Sequence, residues 1–337
     1  MKVAVLGAAG AIGKAVTQTL VARGQPVRLV GRNADRLCPT RAGIEIVPAD
    51  VTTEEGCRTA LGGAESAVYT LGLPYTKRDF AAYPDMMRAC IAAARREGVR
   101  ALVLITNVYP YGRPQARTVS EDHPRVPCSV KGELRKQQED VLLAAHDAEL
   151  RTLSLRLPNF YGPDARLSLT HDMFQAAVRG RTASLLGPID TRQELCFTPD
   201  VGPVVADLLE RPEAFGEAYN FAGAGETTWR RFCEEVFRAA RQPAARSRVA
   251  GPRMLRVLGL FSTLMRELAE MSYLQTDPVV LDDAKIRRVL PNLRKTPYEE
   301  GIRQTVAAYA REAQFERRGD GHTQVRQGVT ERSALRP

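Results

Sequence analysis

Short apolar runs and amphipathic stretches alternate along the first 160 residues. Val3, Ala4, Val5 and Leu6 form an unbroken apolar run, as a strand buried on both faces requires. The period then changes, and Ile12, Ala15, Val16, Thr19 and Leu20 recur at helical spacing. Further strands are predicted over 27–30, at Ile44, Ile46 and Val47, and over 67–71, 101–106 and 152–157. Helices are predicted over 81–97, ending at Gly98, and over 130–146. Six strands with helices between them imply an α/β fold built on a doubly wound parallel sheet. Such sheets bind ligands in the crevice at the carboxyl ends of their strands.

At the first of those ends stand Gly7, Gly10 and Gly13, three residues apart, where the predicted strand passes into the predicted helix. Strand, glycine turn and helix together form the context of a dinucleotide site. Gly7 permits a tight turn, a bare Gly10 lets a pyrophosphate approach, and Gly13 lets the helix lie close to the strand. The helix start directs free N–H groups and a positive dipole end at the phosphates. Gly7, Ala9, Gly10, Ala11, Ile12 and Gly13 are the expected contacts.

Gly-x-x-Gly-x-x-Gly resembles the short-chain dehydrogenase/reductase superfamily, and most of all its extended and atypical, epimerase/dehydratase-like branches. Later segments match as well. Leu155-Arg156 with Tyr161-Gly162-Pro163, Phe197-Thr198-Pro199-Asp200-Val201, Tyr219-Asn220-Phe221 and Gly225-Glu226-Thr227-Thr228 follow that pattern, so the resemblance spans about residues 1 to 310. It implies a Rossmann-type domain over 1–160 and a smaller C-terminal substrate lobe over 161–314, interleaved with late Rossmann strands. The composition over 315–337 turns to Arg, Gly, Gln and Thr without periodicity, which reads as a disordered tail. Relatives pair through the helices corresponding to 81–97 and 130–146, so a homodimer is expected. Met86, Met87, Cys90, Ile91 and Ala94 then face either inward or across the two-fold axis.

The cofactor choice rests on the end of the second strand. An acid there accepts from a ribose hydroxyl and selects NAD, whereas a cation selects the 2′-phosphate of NADP. This chain has Gly31-Arg32, no acid before Asp35, and Arg36 one turn beyond Arg32. NADP(H) is therefore expected. By the resemblance Asp50 and Val51 meet the adenine, and Leu71, Gly72, Thr106, Lys131, Pro158 and Phe160 complete the cofactor site.

The catalytic residues depart from the family. Relatives carry a Ser or Thr after strand five and a Tyr-x-x-x-Lys on the next helix. Counting back from Tyr111-Gly112 puts Asn107 at the Ser/Thr position. Aligning on Glu139 puts Lys131 at the Tyr position and Arg135 at the Lys position, and no tyrosine occurs between Gly112 and Phe160. A reductase built this way needs another proton donor, and Tyr109, Lys131 and Tyr161 are the candidates. Tyr109 stands where dehydratase-type relatives project a residue into the substrate site. A nearby Lys131 would lower its pKa. Alternatively Tyr109 and Tyr111 only pack, and Lys131 is an ordinary helix lysine.

Bulk properties narrow the field. At 337 residues the chain can bury a sizeable core. Its net charge is +9, but the basic residues read as scattered and lack aromatic interleaving, which argues against nucleic acid. The six cysteines form no Cys-x-x-Cys pair, so no metal site is expected, and reduced thiols fit a cytoplasmic protein. There is no run of about 18 apolar residues to span a membrane, and no membrane partner is expected. A first strand starting at Lys2 leaves no room for a signal peptide.

Three functions remain open: an NADP(H)-dependent carbonyl reductase with a rebuilt proton donor, a redox-neutral isomerase or cyclase, and a non-enzymatic NADP(H)-sensing regulator. Residues 254–274 are rich in Leu and Met. If they line the pocket instead of packing on themselves, the small-molecule substrate is bulky and apolar.

Overall fold

The computed structural model describes residues 1–33, Leu37 and 43–333, with the backbone alone at Pro252 and 317–333. Strand β1 (Val3–Leu6) lies inside a seven-stranded sheet. Its companions are β2 (Val27–Gly31), β3 (Ile44–Pro48), β4 (Ser66–Tyr69), β5 (Ala101–Asn107), β6 (Arg151–Leu157) and the late β10 (Ala218–Asn220). The order is β10-β6-β5-β4-β1-β2-β3, and every neighbouring pair is parallel. The chain moves outward from β1 to β3 and then returns to the other side of β1 as β4. That reversal makes the β1/β4 edge the switch point at which such sheets bind ligands.

Alternation along the strands supplies two cores. Val3, Val5, Val103 and Ile105 enter one cluster, while Ala4, Leu6, Leu102 and Leu104 enter the other. The first is covered by α1 (Ala11–Ala22) and α7 (Thr198–Leu209), through Val16, Leu20, Val201 and Val205. The second is covered by α2 (Glu54–Leu61), α4 (Tyr83–Arg96) and α5 (Val130–Ala144). A short helix, α3 (Lys77–Phe80), precedes α4. Met86, Met87, Cys90, Ile91 and Ala94 all turn inward within the chain. The outward faces of α4 and α5 carry Asp85, Arg88, Arg95, Arg96, Glu133 and Gln137.

The lobe contains β7 (Asn159–Tyr161), β8 (Ala183–Leu186), β9 (Arg192–Phe197), β11 (Glu226–Thr228) and β12 (Ser247–Ala250), in two small sheets. Its core is aromatic, with Tyr161, Phe174, Phe197 and Phe232 enclosed by α6 (His171–Val178), α8 (Trp229–Ala239) and α13 (Tyr298–Ser333). Helices α9 (Pro252–Leu258), α10 (Thr263–Glu270) and α11 (Tyr273–Thr276) follow the second small sheet, and α12 (Ala284–Val289) buries Ile286 against the first core. Helix α13 runs on to Ser333, through most of the segment expected as a tail from residue 315. The segment contains no proline before Pro337, and the helix docks through Ile302 and Val306, although Gly319, Gly321 and Gly328 lower helix propensity beyond them. No helix among the described residues is long and apolar enough to cross a membrane.

One buried polar network ties the sheet to α5 and to the segment between β5 and α5. Glu139 of α5 accepts from Arg156 Nε at 2.8 Å and Nη2 at 3.0 Å, and from Ser154 Oγ at 2.5 Å. Arg125 Nη1 adds a fourth bond at 2.9 Å. Arg156 Nη1 donates to the Tyr111 hydroxyl at 2.6 Å, which donates to Asn220 Oδ1 at 2.8 Å. Burial opposes the Arg156 charge, and Glu139 overrides it and raises the guanidinium pKa. Breaking such a pair strands a charge in the interior, so Glu139→Ala should cost about 3–5 kcal/mol in chemical denaturation. A loss below about 1 kcal/mol, the worth of a surface pair, would refute this account.

Candidate active site

The turn after β1 is built from close contacts. Gly7 has φ +88°, and a Cβ there would meet Thr70 Oγ1 at 3.0 Å and the Leu71 nitrogen at 3.2 Å. A Cβ at Gly13 would lie 2.4 Å from the Gly7 carbonyl oxygen. Gly10 differs, because a Cβ there would touch only the Gly7 oxygen at 3.4 Å and otherwise project into open space. The first helical bond runs from Lys14 N to Gly10 O at 2.8 Å, so the N–H groups of Ala11, Ile12 and Gly13 lack intrahelical acceptors. No side chain caps this end and its first turn holds no acid. An uncapped helix start beside an open glycine fits a diphosphate.

Other expected cofactor residues lie at the same edge. Thr70 Oγ1 donates to Leu6 O at 2.9 Å, which holds Leu71 and Gly72 at the end of β4. Thr106 is buried at the end of β5, and its hydroxyl has no partner among the described residues. Pro158 is buried after β6 and Phe160 is half-buried in β7. Arg32 is exposed just past β2. Asp50 Oδ1 accepts from Thr52 N at 3.1 Å and Thr52 Oγ1 at 2.8 Å. Those bonds lower its pKa, with a smaller contribution from the Arg32 charge. Val51 is buried beside it. Arg36 lies outside the described residues.

Beyond β5, Asn107 Oδ1 accepts from the Tyr109 backbone N–H at 3.1 Å and so fixes the turn that carries Tyr109. The Tyr109 hydroxyl lies 3.3 Å from that of Tyr75. The two tyrosines line a small, narrow cavity with Asn159, Leu268, Met271 and Leu274. The cavity stands between the end of the sheet and α9 to α11. Among the described residues no charged side chain lines it. Residues 254–274 thus do contribute to a pocket wall, through Leu255, Leu268, Met271 and Leu274.

Three expectations need correcting. Burial raises the Tyr109 pKa; the Tyr75 hydroxyl and the charge of Arg135 oppose this, and Lys131 is not among the groups that lower it. Lys131 itself is fully buried, and its three donor positions are taken. Its ammonium bonds Glu267 Oε2, the Glu267 carbonyl at 3.4 Å and Glu270 Oε2 at 2.8 Å, and sits 4.8 Å from the centre of the Tyr75 ring. Paired with two carboxylates, it ties α5 to the lobe and does not line the cavity. Tyr161 lies in the aromatic core of the lobe, 5.0 Å from Phe232 and 5.3 Å from Phe197 between ring centres. It is 0 % exposed and does not line the cavity. Arg135 also turns away, with Nη2 donating to the Tyr83 hydroxyl at 3.1 Å and the guanidinium over that ring at 3.8 Å. Sequence reasoning missed Tyr75, Glu267 and Glu270, because no motif marks residues that meet only through folding.

Comparison with known proteins agrees with this geometry. Residues 7–149 match a family described as NAD(P)H-binding. The chain is 27% identical over 248 residues to a probable dTDP-4,6-dihydroxy-2-methyloxan-3-one 4-ketoreductase of Streptomyces antibioticus, covering 71% of this chain and 77% of that one. It is 23% identical over 270 residues to a 3 beta-hydroxysteroid dehydrogenase/Delta 5→4-isomerase of Mycobacterium tuberculosis, covering 74% and 72%. Among solved structures, UDP-glucose 4-epimerase of Thermotoga maritima superposes with a TM-score of 0.77 at 18% identity, over 93% of this chain and all of that one. The dTDP-glucose 4,6-dehydratase of Streptomyces venezuelae, with NAD and TYD bound, gives 0.77 at 20%, over 93% and 97%. The chain thus carries an NAD(P)H-binding region over residues 7–149 and has the fold of these epimerases and dehydratases, and its sequence contains no Tyr-x-x-x-Lys pair.

The Tyr161 hydroxyl is buried with no partner among the described residues. Tyr161→Phe should therefore leave thermal stability and turnover unchanged, while Tyr161→Ala should cost about 3–5 kcal/mol as a core cavity. A tenfold fall in turnover for Tyr161→Phe would return Tyr161 to the chemistry.

Proposed function

We propose that the protein is an NADP(H)-dependent reductase that acts on a carbonyl of a bulky, largely apolar metabolite, with Tyr109 as proton donor. The observation that carries this reading is Tyr109, which lines an uncharged cavity at the carboxyl end of the sheet and whose hydroxyl lies 3.3 Å from that of Tyr75. In this reading Gly7, Ala9, Gly10, Ala11, Ile12 and Gly13 hold the diphosphate, Arg32 the 2′-phosphate, and Asp50 and Val51 the adenine. Leu71, Gly72, Thr106, Pro158 and Phe160 line the remainder. The bound cofactor supplies a hydride. Tyr109 Oη gives its proton to the developing alkoxide, and the Tyr75 hydroxyl at 3.3 Å hydrogen-bonds the phenolate and relays a replacement proton. Asn107 acts as a positioning residue through the Tyr109 backbone.

The substrate class follows from the wall. A nucleotide diphosphate needs cations, and among the described residues the lining has none. Leu, Met and Tyr side chains suit an apolar ring system. By their names, both curated relatives interconvert a ketone and an alcohol, and one of them acts on a steroid.

NADPH should bind more tightly than NADH, and Arg32→Asp should reverse much of that preference in titrations. Equal affinities in the unaltered protein would sink the NADP(H) assignment.

Tyr109→Phe should lose about 10² or more of kcat on a ketone substrate, with NADPH affinity nearly unchanged. Because burial raises the Tyr109 pKa, the donor stays protonated and reduction should not decline up to about pH 10. A variant that turns over like the unaltered protein would make Tyr109 a packing residue and leave Tyr75 as the donor to test.

A further inference from the structure

The basic residues are less evenly spread than they first read. Residues 236–266 hold seven arginines, from Arg238 to Arg266, and no Asp or Glu, in a chain whose net charge is +9. Just upstream, Arg230 and Arg231 pair with Asp190 and Glu235. Among the described residues, none of the seven has a carboxylate within ion-pair distance; Arg248 and Arg266 bond only neutral oxygens, those of Ser184 and Gly259.

The same segment carries the most exposed apolar side chains outside the terminal helix apart from Leu167. Leu260 and Phe261 are 74% and 88% exposed, and Met254, Val257, Leu258 and Leu264 are exposed around them. They form the outer face of a hairpin of α9 and α10. At its turn a Cβ on Gly259 would lie 3.1 Å from the Arg266 Cα, so the glycine lets the two helices meet closely. The inner face is committed: Leu255 and Leu268 line the cavity, and Glu267 is tied to Lys131.

We propose that the α9–α10 hairpin seats the protein on an anionic lipid surface, with Leu260 and Phe261 entering the interface and the arginines meeting the headgroups. Helices of 7 and 8 residues are far too short to span a bilayer, whose core needs about 20. Exposed apolar side chains flanked by unpaired cations are the composition of an element lying in the interface. A second copy of the chain is disfavoured, because a two-fold contact would bring two acid-free, arginine-rich segments together. This departs from the expectation of no membrane partner, which rested on the absence of a spanning segment. The cavity behind the hairpin would then open next to a phase that concentrates apolar substrates; that link alone rests on the reductase reading, and the test below does not use it.

The full-length protein should co-sediment with vesicles of phosphatidylcholine and phosphatidylglycerol, and at least tenfold less with phosphatidylcholine alone. Added salt should release it. Leu260→Ser with Phe261→Ser should lower binding at least tenfold while leaving NADPH affinity and melting temperature unchanged. Should that variant fail to fold, Phe261→Trp serves instead, and its emission should shift to the blue on anionic vesicles. No binding, equal binding to both vesicle types, or an unshifted emission would overturn the proposal. So would a dimer in light scattering that Leu260→Ser with Phe261→Ser converts to monomer, since the patch would then belong to a second copy.

Discussion

A side chain on Gly13 would put its first carbon 2.4 Å from the carbonyl oxygen of Gly7, and the nucleotide edge of the fold depends on that contact staying free. Only a bare backbone lets α1 start so close to the end of β1. The close start aims the free N–H groups of Ala11, Ile12 and Gly13 across the switch point between β1 and β4. Thr70 completes the turn by bonding back to Leu6. The dinucleotide site is thus a consequence of packing, with its polar groups supplied by backbone that the helix itself cannot satisfy.

On the opposite side of the crevice, Lys131 and Arg135 of α5, which the family resemblance aligns with its Tyr and Lys positions, are used for internal attachment. Lys131 holds Glu267 and Glu270 of the lobe, and Arg135 stacks on Tyr83. Burying a lysine is tolerable only with such partners, and the two carboxylates supply them. The tyrosine hydroxyls near the cavity therefore come from other elements, Tyr109 from the turn after β5 and Tyr75 from the segment after β4. The Lys131 tie also holds α10, which carries Leu268, against that cavity.

The α9–α10 hairpin serves both sides of the lobe. Its inner residues make an uncharged wall, its outer residues are apolar, and the segment around them in the sequence is rich in arginine. A helix normally buries one face and solvates the other. Here both faces are apolar at places, which explains why the periodicity of residues 254–274 does not say which side is the core.

The sequence by itself determined the order of strands and helices, the glycine turn and the absence of a Tyr-x-x-x-Lys pair. Those depend on local periodicity, on backbone freedom at Gly7 and Gly13, and on which residue types are present. It also marked Arg156 and Glu139 as motif positions without saying that they meet. Only the tertiary structure decided that Tyr161 is a core residue, that Lys131 is paired with Glu267 and Glu270 and that burial raises the Tyr109 pKa. Each of these depends on what surrounds a side chain, and the partners are remote in the chain: Glu267 stands 136 residues from Lys131, and Tyr75 stands 34 from Tyr109. A motif records spacing along one segment, whereas charge neutralisation and desolvation are set by elements that only folding brings together.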